Sequence, residues 1–111
     1  MTVRDVANAL DCEVVTGGTG LEREVESGYV CDLLSYVISR AGKGAAWITM
    51  MSNINVVAVG LLADVSCIII TDGNELDTSS KAKADSEDVP VLLSKKTTFE
   101  TAAGLAKILG V

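Results

Sequence analysis

Two polar turns hold the residue types best suited to gripping a small molecule. The first is Thr49-Met50-Met51-Ser52-Asn53-Ile54-Asn55 and the second Thr71-Asp72-Gly73. Ser94 follows a third apolar run, Val89-Pro90-Val91-Leu92-Leu93. Hydroxyls, amides and the backbone N–H groups beside a glycine recognise ligands; they do not by themselves make or break bonds. The candidate ligand contacts are therefore Thr49, Ser52, Asn53, Asn55, Thr71, Asp72, Gly73 and Ser94. Each also has an ordinary structural use, Ser52 or Asn53 as a helix N-cap and Thr71-Asp72-Gly73 as a turn. Catalysis has little to work with. The chain contains no histidine, so the commonest general acid or base is missing. Asp72 and Glu75 lie near one another in a loop, where paired carboxylates could hold a metal or work as acid and base, but no nucleophile motif stands beside them. A protein that is not an enzyme, with no cofactor and no metal, is expected.

The three cysteines support that reading. Cys12, Cys31 and Cys67 share no CxxC spacing, and no histidine completes a zinc site. Cys67 lies within isoleucines and reads as a small core residue. Cys31 is placed at a helix start, which lowers a thiol pKa. No reactive partner stands near it in the sequence, so it too reads as structural.

The elements that must position these residues follow from periodicity. Ala45–Thr49 and Ser66–Thr71 are short β-rich runs with a small-residue helix, Asn53–Leu62, between them. This βαβ pattern sets both polar turns at the carboxyl ends of neighbouring strands, the rim where open α/β sheets bind ligands. Upstream, Val3, Val6, Ala7 and Leu10 mark a helix over Thr2–Leu10, and Glu13–Thr16 reads as a strand. Gly17-Gly18-Thr19-Gly20 reads as a plain turn, since no phosphate-loop lysine follows. A second extended segment is expected within Leu21–Val30, then a helix over Asp32–Arg40 with Leu33, Leu34, Val37 and Ile38 inward.

Asp77–Asp88 is polar, a weakly held helix capped by Asp77 or Thr78 with Ala82 and Ala84 toward the core. Val89–Leu93 is a strand. Thr97 and Glu100 form a capping box for a last helix burying Ala102, Ala103, Leu105, Ala106, Ile108 and Leu109. The expected fold is α/β, a single three-layer domain over residues 1–111. Its mainly parallel sheet of about four to five strands is covered by helices on both faces.

Composition narrows the partners. A chain of 111 residues forms one domain, burying roughly 65% of its unfolded surface. Nine basic against fifteen acidic residues give a net charge of −6, which disfavours nucleic acid and anionic membranes alike. No apolar run approaches a membrane span, and Met1-Thr2-Val3-Arg4-Asp5 lacks signal-peptide character, so a cytoplasmic protein is expected. With 49% apolar residues in so small a chain, a homodimer is expected. Tyr29, Trp47, Met50, Met51 and Ile54 are its candidate surface, because adjacent methionines adapt well to a partner.

The ordered series of segments also resembles the DRTGG domain. It runs through Gly28-Tyr29-Val30-Cys31-Asp32-Leu33-Leu34-Ser35, Ala46-Trp47-Ile48-Thr49, Asn53–Val59, Ile68–Gly73 and Val89-Pro90-Val91-Leu92. The family takes its name from an Asp-Arg pair and a Thr-Gly-Gly triplet. Here Asn53 and Asn55 occupy the first region, and the triplet reads Thr71-Asp72-Gly73. The resemblance implies regulation without catalysis. Similar domains sit beside CBS domains in some pyrophosphatases and ahead of phosphotransacetylase domains, and the N-terminal domain of HPr kinase is alike. The resemblance does not name a ligand; the polar turns themselves lead us to expect a small-molecule sensor, for an adenine nucleotide or another small metabolite. Stand-alone members accompany redox and hydrogenase genes in anaerobes, which implies a redox-enzyme protein as an alternative partner.

Overall fold

Every residue of Ala45–Thr49 and Cys67–Ile70 is buried, and these two strands lie inside a five-stranded sheet. The computed structural model describes residues 1–111. Its strands are β1 (Glu13–Thr16), β2 (Ser27–Val30), β3 (Ala45–Thr49), β4 (Cys67–Ile70) and β5 (Val91–Leu93). Its helices are α1 (Val3–Ala9), α2 (Leu34–Arg40), α3 (Ile54–Ala63), α4 (Thr78–Ser86) and α5 (Thr98–Leu109). The sheet order is β1-β5-β4-β3-β2, all parallel except β1, which runs antiparallel beside β5.

Alternation along the strands divides the core in two. Trp47, Ile68, Ile70 and Val91 face one side, where Val37 of α2, Val56 and Val57 of α3 and Ala84 of α4 cover them. Ala46, Ile48, Cys67, Ile69 and Leu92 face the other, under Val3 and Val6 of α1 and Leu105 of α5. The expected three-layer α/β fold is thus observed. Each of the large side chains contributes about 1.5–3 kcal/mol by leaving water. Gly60 lets α3 sit close on β4: a Cβ there would stand 2.6 Å from Ile68 Cδ1.

The local signals act where they were read. Thr2 caps α1, Asp77 caps α4 and Thr97 caps α5, with capping boxes closed by Asp5 and Glu100. Several inward faces differ from expectation. In α2 only Val37 is buried, while Leu33 and Ile38 are 54% and 45% exposed. A helix beside the edge strand has sheet beneath only part of its width. Cys31 does not open α2, which begins at Leu34. Gly18–Glu22 coil into a 3₁₀ turn, not a plain one. In α4 the buried residues are Ser80 and Ala84, and Ala82 is exposed. In α5 Thr101 and Leu105 are buried, whereas Ala103 faces solvent. No helix is long and apolar enough to cross a membrane.

Ile69→Ala removes a side chain sealed under α1 and α5 and is expected to cost about 2–5 kcal/mol in urea unfolding. The cap carboxylates set the acid limb. Backbone N–H groups hold the carboxyls of Asp5, Asp77 and Glu100 below their ordinary values of 3.8, 3.8 and 4.5. A lowered folded pKa stabilises fully above the unfolded value and is lost as pH falls through the folded one. Stability should therefore decline below those values, and Asp77→Asn, which keeps the cap without the charge, should flatten that decline.

Candidate functional site

Four parallel strands end on one rim, at Cys31–Asp32, Thr49–Met50, Thr71–Gly73 and Ser94. Because β1 is antiparallel, its amino end also arrives there, with Glu13 opposite Leu93. The predicted hydroxyls lie on this rim but point into the protein. Thr49 is 1% exposed; its hydroxyl donates to Asp32 Oδ1 at 2.7 Å and accepts the Met51 N–H at 3.2 Å. The Met50 N–H reaches the same Asp32 oxygen at 3.0 Å. Thr71 is fully buried, its N–H bonded to the Thr49 carbonyl at 3.0 Å. Its Oγ1 lies 2.7 Å from Thr98 Oγ1, and both hydroxyls reach Asp72 Oδ2 at 3.3 and 3.4 Å. Ser94 Oγ pairs with Thr101 Oγ1 at 2.9 Å and accepts the Lys96 N–H at 3.2 Å. These bonds satisfy groups that burial would otherwise penalise.

The turns are stitched to one another. Asp72 and Gly73 take consecutive left-handed conformations, at φ 62° and 70°. Glycine adopts that region freely and aspartate tolerates it. Their N–H groups donate to the Lys96 and Ser94 carbonyls at 2.8 and 3.1 Å, and Asn74 Nδ2 donates to the Met50 carbonyl at 2.9 Å. Asn53 caps α3, its Oδ1 accepting the Asn55 N–H at 2.9 Å. Ser52 is half-buried and Asn55 exposed, both away from the concavity described next.

The larger of two concavities, an open cleft of about 300 Å³, lies at the β1–β5–β4 end of this rim. Gly73 and Ser94 of the predicted set line it, together with Asp11, Cys12, Glu13, Asn74, Glu75, Leu93 and Lys95. Three carboxylates thus surround one ammonium. Burial pushes the Cys12 thiol up to about 11, and that of Cys67 to about 12, so neither is a nucleophile at neutral pH. No group of His, Cys, Asp or Glu has the geometry to hold a metal ion.

Sequence reading missed Asp32, Asn74, Thr98 and Thr101, the partners of the rim hydroxyls. It also missed Asp11–Glu13 and Lys95, which reach the cleft through the β1–β5 pairing. Of the predicted surface, Met50 and Ile54 are 49% and 46% exposed. Tyr29 and Met51 are half-buried against the core. Trp47 is fully buried, its indole N–H donating to the Cys31 carbonyl at 2.9 Å, so it is not available to a partner.

A mainly parallel sheet of this order, with helices on both faces, defines an open-sheet α/β domain. The family model of the DRTGG domain matches residues 5–108, and the chain belongs to that family. Among solved structures it is similar to the CBS and DRTGG domains of the regulatory region of Clostridium perfringens pyrophosphatase, complexed with its activator diadenosine tetraphosphate. The TM-score is 0.73 at 13% identity, over 92% of this chain and 44% of that one. The chain thus spans less than half of that structure's length. No curated protein matches the chain.

Asp32 joins the ends of β2 and β3 through two short bonds to one oxygen. Asp32→Ala should cost about 1–2 kcal/mol, read by thermal unfolding, with faster hydrogen exchange at Met50.

Proposed function

We propose that this chain is a non-catalytic regulatory module that works as a homodimer and binds a small metabolite, an adenine nucleotide or a relative of one, at the carboxyl rim. The observation that carries this reading is the open cleft of about 300 Å³ on that rim. Its size suits a ligand of nucleoside dimensions. Gly73, Asn74 and Lys95 line its wall, and since the Gly73 and Asn74 N–H groups are bonded to the Ser94 and Thr71 carbonyls, their backbone can offer acceptors only. The charges orient the ligand. Asp11, Glu13 and Glu75 accept from ribose hydroxyls or an exocyclic amine, and they repel phosphate. Lys95, with Lys96 next to it in the chain, is the end that suits phosphate. The family supports the regulatory role, and the activator bound by the similar pyrophosphatase region supports the nucleotide class.

A second reading, an assembly subunit for a redox-enzyme partner, draws on a different observation. Leu33, Met50 and Ile54 are each 46–54% exposed around the ends of β2 and β3. Apolar groups gathered in this way favour a protein partner.

Thermal unfolding with AMP, ATP or diadenosine tetraphosphate tests the nucleotide reading. A binder should raise the melting temperature as RT ln(1 + [L]/Kd) prescribes. Lys95→Glu, a change at an exposed site, should remove that rise while leaving the unliganded melt unchanged. No rise with any of the three at saturating concentration would sink it.

A further inference from the structure

α3 is the one helix of the fold without a charged residue. Val56, Val57 and Gly60 face the sheet and are buried. On its opposite side Ile54, Leu61 and Leu62 are 46%, 41% and 69% exposed, and Ala58 is exposed among them. These four positions fall at i, i+4, i+7 and i+8, so at 100° per residue Ala58 lies at the middle of the outward stripe. Met50, 49% exposed, extends the apolar surface into the turn that feeds the helix. An uncharged helix with a broad apolar stripe is normally covered, and here the sheet, α2 and α4 leave this stripe in water.

We infer that α3 packs against α3 of a second copy, antiparallel, about a twofold axis passing beside Ala58. This rests on the homodimer of the preceding reading and gives that dimer its surface. Self-complementarity singles out a second copy. An antiparallel pair centred on Ala58 sets Ile54 against the partner's Leu62 and Leu62 against the partner's Ile54, as an isologous contact requires. The small central residue lets the helix axes approach closely. Electrostatics agree. Each chain carries a net charge of −6, which opposes association overall, and contact through this uncharged stripe avoids adding close like-charge pairs to it. Antiparallel packing also sets the positive amino end of each α3 beside the negative carboxyl end of the other. Asp64, which caps that carboxyl end, is offset by Arg23 at 3.0 Å and Lys43 at 3.9 Å. A pair of ten-residue helices covers less than a standard interface, so the dimer belongs to the transient class and dissociates on dilution.

Sedimentation velocity on the full chain across a concentration series, with two variants, tests this. The unmodified chain should shift from monomer to dimer as concentration rises. Leu62→Asp, at a site open in the monomer, should weaken self-association by roughly tenfold with an unchanged circular dichroism spectrum. Ala58→Cys should give a covalent dimer under mild oxidation, reversed by reductant, that the unmodified chain with its three native cysteines does not give. A dimer that ignores Leu62→Asp and does not cross-link through Ala58→Cys would overturn the α3 surface and leave the homodimer reading standing. An unmodified chain that stays monomeric at every concentration would overturn both.

Discussion

The burial of β4 on both faces is the constraint from which the rest of this structure follows. Four consecutive residues, Cys67, Ile68, Ile69 and Ile70, have no exposure at all. A strand in that position needs neighbours on both edges and helices above and below. Parallel neighbours in turn need crossover connections, here supplied by α3 and α4. Once β2 through β5 run the same way, their carboxyl ends share one rim. The polar rim is thus a consequence of how the core was closed.

That rim has to satisfy its own polar groups before it can serve a ligand. Thr49, Thr71 and Ser94 are all buried, and a buried hydroxyl without a partner is costly. They bond to Asp32, Thr98 and Thr101; the first two come from segments that follow a neighbouring strand, and Thr101 from the helix after Ser94's own strand. The result is a tied frame and not a row of free donors. The Gly73 and Asn74 N–H groups are bonded as well, so what is left for recognition is chiefly the charged lining of the cleft. On the proposed reading, the carboxylates there disfavour a bare polyphosphate, whereas a nucleoside with a short phosphate tail meets both signs of charge.

The two surfaces proposed as functional meet at one helix. α3 begins at Asn53 on the rim and carries its exposed apolar stripe away from it. Asn74, which lines the cleft, bonds to the carbonyl of Met50 in the turn that starts α3. The cleft and the proposed association face therefore stand one hydrogen bond apart. Net negative charge over the remaining surface favours contact through the uncharged stripe over contact elsewhere.

Much of this fold was legible in the chain because its signals are local. The strands at Glu13–Thr16 and Ala45–Thr49 and the caps Thr2, Asp77 and Thr97 depend on residues within a few positions of each other. The site was legible only in outline: the rim follows from the βαβ pattern, but the direction of each side chain on it does not. Thr49 reads as a free hydroxyl until Asp32, 17 residues earlier, is set beside it. Trp47 and Met50 read as one surface until the sheet buries the first and leaves the second in water. Glu13 has no link to the cleft until β1 pairs with β5. The sequence alone determined which elements form, through spacing and capping. Tertiary structure alone decided which of their polar groups remain free, because that depends on long-range pairing that no local pattern records.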